Sequence, residues 1–144
     1  MQKVLGVIMI VCALALAIAP VFTDCQSQGK MLTTADGRSV SMKCHWAGVA
    51  EIAAAIPLLI AGVYALLGRR RETTRFAAIV GAASGTMAIL LPTLLIGVCA
   101  NPMMVCNMLM RPILLASGIV AIAASIALFV TAREPELPAA QAAA

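Results

Sequence analysis

A chain of 144 residues that is 62% hydrophobic and 11% charged, with a mean hydropathy of +1.02, cannot be an ordinary soluble domain; those run about 45–50% apolar and about 25% charged. The net charge of +4 is a small surplus of ten basic over six acidic residues and calls for no nucleic-acid partner. What remains is an all-α, polytopic membrane protein whose first partner is the lipid bilayer.

A bilayer core takes about 20 apolar residues per helix. Four stretches meet that requirement, at about 4–22, 46–67, 76–98 and 113–132, so residues 1–132 are expected to form a four-transmembrane-helix bundle with two outer cysteine-containing loops. The remainder, 133–144 ("REPELPAAQAAA"), is short and rich in Pro and Ala and reads as a disordered cytoplasmic tail.

The first stretch, "MQKVLGVIMIVCALALAIAP", has the Lys3 start and the Ala17-Ile18-Ala19 triplet of a secretory signal. Its apolar run exceeds the usual h-region of about 7–15 residues, and Pro20 follows the triplet directly, so an uncleaved helix is the better reading. Cys12 inside it reads as a small packing hydrophobe. The loop that follows, "TDCQSQGKMLTTADGRSVSMKC", is polar, and Ala35–Gly37 predicts a small β-hairpin turn.

The second helix opens on "MKCHWAGVAEI". Trp46 falls where aromatic belts sit, and His45 beside it reads as an interfacial hydrogen-bonding group. Glu51 lies deeper, at helical spacing from Cys44 and Gly48, and is expected to point into the bundle interior, since ionisable groups at that depth are costly and face protein or water. A structural role is favoured for it over a proton-handling one.

The linker "GRRRETTR" brings Arg69, Arg70, Arg71 and Arg75 to the side that also carries Lys3 and Arg133; Lys30, Arg38, Lys43 and Arg111 fall opposite. The dense cluster in the shortest loop places both termini in the cytoplasm by the positive-inside bias. In the third helix Gly81 and Gly85 form a GxxxG motif, and Ser117, Ala121 and Ser125 recur at the same spacing in the fourth. Small residues at such spacing let helices approach closely; packing within one bundle is favoured over a homodimer face.

Between these helices stands "GVCANPMMVCNMLMRP". In this topology Cys25, Cys44, Cys99 and Cys106 share the outer side, and an even set of cysteines facing an oxidising compartment reads first as disulfides. The attractive pairing is Cys25–Cys44 with Cys99–Cys106, which makes the chain two stapled hairpins. The same four are the redox candidates. A weaker alternative is a copper-handling site, since thiolate and thioether ligands select Cu(I); its candidates are Met42, Cys44, His45, Cys99, Met103 and Cys106. One histidine and the lack of paired acids within the helices give no catalytic constellation.

The order of parts resembles a prokaryotic membrane family, number 4418 among the domains of unknown function. The likeness is carried by a first helix ending before Cys25, "MKCHW" with Ala50-Glu51, "IGVC" (Ile96–Cys99), and Cys106 before the fourth helix. The resemblance implies an accessory or interaction subunit in the prokaryotic plasma membrane, with an integral membrane partner such as an ABC-type transporter; no cofactor is expected. Four helices with outward cysteine pairs also resemble the quinone-linked membrane thiol–disulfide oxidoreductases. Those carry a C-x-x-C pair, however, whereas here 18 and 6 residues intervene. A quinone-dependent enzyme is therefore the alternative, and a non-enzymatic protein is favoured.

Overall fold

The computed structural model describes residues 1–68 and 70–132. Arg69 of the linker, Arg133 and the expected tail at 133–144 lie outside the described residues. The chain folds as α1 (Gln2–Thr23), a hairpin of β1 (Leu32–Thr33) and β2 (Ser39–Val40), α2 (Lys43–Leu67), α3 (Arg71–Leu90) and α4 (Arg111–Thr131). Wide turns with i→i+5 hydrogen bonding extend α3 through Leu91–Leu95 and precede α4 at Cys106–Met110. Four spans of 22 to 26 residues result. At about 1.5 Å per residue each is long enough for a hydrocarbon core of about 30 Å.

The side chains sort by size. Small residues face inward, among them Ala13, Ala47, Ala55, Ala61, Ala77 and Ala121, with Met9, Leu16, Leu58, Leu114 and Leu128 filling the centre. Large aliphatics such as Ile18, Ile56, Ile79 and Ile126 face outward. This suits a bundle in lipid, where close backbone approach and dispersion replace the hydrophobic effect as the force between helices.

The helices pair as hairpins, α1 chiefly on α2 and α3 on α4. Each pair closes through two glycines. A Cβ on Gly62 would stand 2.8 Å from Ile10 Cγ1 and 3.1 Å from the Gly6 carbonyl oxygen; one on Gly118 would stand 2.8 Å from Ile89 Cγ1 and 3.0 Å from the Gly85 carbonyl oxygen. The GxxxG glycines both face helices of the same chain, Gly81 against Met9 and Ser125 and Gly85 against Gly118 and Ile122.

Helix limits move from the expected ones for local reasons. α2 starts at Lys43 and so takes Cys44, His45 and Trp46 into its first turn. α3 starts at Arg71, taking Arg71–Arg75 of the basic linker into its first turns, where Thr74 Oγ1 donates to the Arg70 carbonyl at 3.1 Å. Pro92 has no N–H and its ring crowds the carbonyl four residues back; the wide turn accommodates it. There Ile96 and Gly97 both donate to Leu91 O at 3.1 Å, and Gly97 ends the helix at φ +77.

The first loop contains the expected hairpin, with Leu32 opposite Val40 and Thr33 opposite Ser39. Its turn is closed by Thr34 N–H to Arg38 O at 2.8 Å and by Gly37 N–H to Thr34 O at 2.9 Å, with Gly37 at φ +75. At the opposite end of the bundle, Gln2 Nε2 reaches Gly68 O at 2.8 Å, Ala65 O at 3.0 Å and Thr74 Oγ1 at 3.3 Å. One amide thereby ties the start of α1 to both ends of the linker.

Candidate metal centre

Four different segments deliver one cysteine each to a single point at the loop-bearing end of the bundle. Cys25 follows the end of α1, Cys44 lies in the first turn of α2, Cys99 follows the wide turn after α3, and Cys106 opens the last span. Their Sγ atoms all lie within 4.8 Å of one another. Cys25 donates to Cys106 at 3.4 Å and meets Cys99 at 3.5 Å, and Cys99 donates to Cys44 at 3.4 Å. Cys25, Cys44 and Cys106 are buried; Cys99 is half-buried.

All five cysteines are free thiols. The expected staples, Cys25–Cys44 and Cys99–Cys106, are not formed. The two hairpins dock side by side, so all four thiols meet at one point instead of in two separate local pairs. Cys12 is a buried member of the bundle core, away from this group.

Cys44 and Cys106 stand at the starts of helical segments, where free N–H groups carry partial positive charge. Burial, and after it the thiols of Cys44, Cys106 and Cys99, push the Cys25 thiol well above its ordinary value. Crowded thiols resist ionising together until a metal cation supplies the missing charge, and a coordinated thiol is then deprotonated outright.

The other expected site residues divide. Met42 is drawn in, its Sδ 4.0 Å from Cys99 Sγ. His45 turns aside: its Nδ1 bonds Asp24 Oδ2 at 2.8 Å, so it is no member of the thiol group. Met103 is 78% exposed and points away. Cys25 was missing from the sequence-derived metal set and belongs at its centre. The signal for it was available, since it shares the membrane side of the other three.

Asp24 builds the frame. It accepts from Ser27 N–H at 2.6 Å through Oδ1, while Ser27 Oγ donates to the Asp24 carbonyl at 2.8 Å. Burial pushes the Asp24 carboxyl up, but the hydrogen bonds of His45 and Ser27 outweigh it and hold the carboxyl below the usual carboxylate range. Asp24 and His45 thus lock the residues next to Cys25 and Cys44 to each other. Trp46 stands edge-on to His45, ring centroids 5.8 Å apart, and is 59% exposed on the outer surface of the bundle.

Glu51 is wholly buried on the inward face of α2, and neither carboxyl oxygen has a hydrogen-bond partner among the described residues. It lies seven residues beyond Cys44, about 10 Å down the helix. Arg111, at the start of α4, is exposed and forms no ion pair with it.

The family described as "Domain of unknown function (DUF4418)" matches residues 2–130, and the chain belongs to it. No curated protein and no solved structure matches the chain.

Proposed function

We propose that this membrane protein binds one thiophilic d10 metal ion, Zn(II) by fit and Cu(I) as its softer competitor, through Cys25, Cys44, Cys99 and Cys106. The observation that carries the reading is the mutual closeness of four sulfurs, all within 4.8 Å, from four separate segments. A tetrahedral Zn(II) site with Zn–S bonds of about 2.3 Å has sulfurs about 3.8 Å apart, inside that range. A four-sulfur tetrahedron is characteristic of zinc or iron–sulfur binding, whereas Cu(I) is selected by thiolate and thioether softness; Met42 supplies a thioether at the rim.

Such an ion would join the two hairpins, since Cys25 and Cys44 come from one and Cys99 and Cys106 from the other. The centre is closed on three sides, and Cys99 is the edge from which an ion enters or leaves. With both termini cytoplasmic, as the arginine linker favours, it faces the extracytoplasmic side of the plasma membrane. An accessory role beside a transporter rests on the resemblance alone and adds no residue to the site.

The test uses the full chain, purified in mild detergent under reductant, offered Zn(II), Cu(I) or the spectroscopic probe Co(II). The expected result is one retained ion per chain and tetrahedral thiolate bands with Co(II). Cys106→Ser should weaken binding at least about 10–100-fold, a loss typical even of outer-shell partners. Full-chain protein that retains no ion with all four thiols reduced would overturn the proposal.

A further inference from the structure

The sulfur–sulfur approaches are not equivalent, and their pattern carries a second chemistry. Three bonds run in a line, Cys106 to Cys25 at 3.4 Å, Cys25 to Cys99 at 3.5 Å and Cys99 to Cys44 at 3.4 Å. Cys25 also interacts with Cys44, but that pair would leave Cys99 and Cys106, which share no such bond. Only one pairing uses these contacts and leaves no thiol over, namely the two end contacts. Using the middle contact strands Cys44 and Cys106 at opposite ends.

We infer that the centre is also a four-electron thiol–disulfide site, oxidised by disulfide compounds to Cys44–Cys99 and Cys25–Cys106, with release of its metal ion. The metal-release half rests on the reading above; the connectivity does not. Both bridges cross between hairpins, so oxidation would replace a metal link between them by a covalent one.

The order of events follows from burial. Cys99 alone is half-buried, so its thiolate attacks the incoming disulfide RSSR, forming a mixed disulfide and expelling one RS⁻. Cys44 then displaces the second RS⁻ from Cys99. Once the first bridge and the loss of the ion have opened the centre, a second RSSR repeats the exchange at Cys25 and Cys106. Four cysteine thiolates lose four electrons, two RSSR become four RS⁻, and the ion is freed because no thiolate remains to hold it.

The experiment takes the full chain with Cys12→Ser, to remove the one thiol outside the centre, loaded with Zn(II) and then freed of reductant. It is titrated with oxidised glutathione, with a chelating dye for released zinc and mass mapping of unreduced peptides. The expected result is glutathionylation first at Cys99, then the Cys44–Cys99 bridge, then Cys25–Cys106, with one zinc released per chain. In the pair variant Cys25→Ser with Cys106→Ser, Cys44–Cys99 should still form. In Cys25→Ser with Cys99→Ser, a Cys44–Cys106 bridge should form at least ~10-fold more slowly, because both remaining thiols are buried.

Bridges mapped as Cys25–Cys44 and Cys99–Cys106, or no bridge with excess oxidised glutathione, would overturn the inference while leaving a measured zinc stoichiometry intact. A chain that retains no zinc yet gives the two bridges named here would overturn the metal reading and keep the connectivity.

Discussion

The two ends of this bundle solve one problem, joining α1 to the helices around it, by different chemistry. At the linker end a single neutral amide, Gln2, satisfies the carbonyls of Ala65 and Gly68 and the hydroxyl of Thr74, and nothing further is needed. At the loop end four thiols converge with contacts of 3.4 and 3.5 Å. S–H is a weak donor, and such contacts contribute little compared with amide hydrogen bonds. An end held by weak donors would gain strength from a bound ion, so the proposed metal centre sets the thiol end apart from the purely hydrogen-bonded linker end.

The sharpest way to break that contrast is to measure stability with and without metal. At free Zn(II) about 1,000 times its Kd, linkage adds about 4 kcal/mol to the folded state. The unfolding midpoint in detergent should rise accordingly in the reduced wild-type chain and stay level in Cys106→Ser. An equal rise in the variant would remove the distinction between the ends.

A smaller effect is expected where the bundle carries a polar group without a partner. Burying an unsatisfied polar group costs about 1–3 kcal/mol. Glu51→Met, which keeps volume and removes both unpartnered oxygens, should stabilise the chain by about that amount in thermal unfolding. Its zinc stoichiometry should be unchanged. A destabilised Glu51→Met would show that the carboxyl has a partner in the membrane that the isolated chain does not supply.

At the linker end, Gln2→Ala removes hydrogen bonds whose net contribution is about 0.5–1.5 kcal/mol each. Water reaches this end and can satisfy the freed carbonyls, so about 1 kcal/mol in all is expected. Unlike the cysteine variants, this one should respond to zinc as the wild type does. Loss of the zinc response in Gln2→Ala would mean that the two ends are coupled.

The smallest effect is on pH dependence, measured without metal. Asp24 has its folded-state pKa held below its unfolded value, so its contribution is complete above the unfolded value of about 3.9. It is lost as pH falls through the lower folded value. Asp24→Asn should flatten that acid limb of the stability curve; an unchanged limb would sink the assignment.

The four spans, the loop hairpin and the inward direction of Glu51 were all legible in the chain, because each depends on local pattern. Twenty apolar residues specify a span, Ala35–Gly37 specifies a turn, and helical spacing from Cys44 gives Glu51 its face. The helix limits were less legible. Wide turns stand beside Pro92 and Pro112, though Pro20 and Pro57 sit inside α1 and α2 without one, and the polar starts at Lys43 and Arg71 look like loop although their backbones continue the helices.

The site was legible only in its membership. Topology by itself put Cys25, Cys44, Cys99 and Cys106 on one side of the membrane, and from sequence spacing the natural partners were neighbours along the chain. Partner choice among four thiols depends on how one hairpin docks against the other. That docking is set by contacts between the pairs, such as Gly81 of α3 against Met9 of α1 and Gly48 of α2 against Met110. Hydrophobic periodicity says which face of a helix is inward, but not which residue of another helix lies opposite it. So the sequence alone determined a four-span membrane protein with its cysteines gathered at one surface. Only the packing of the hairpins decided that they form one centre instead of two staples.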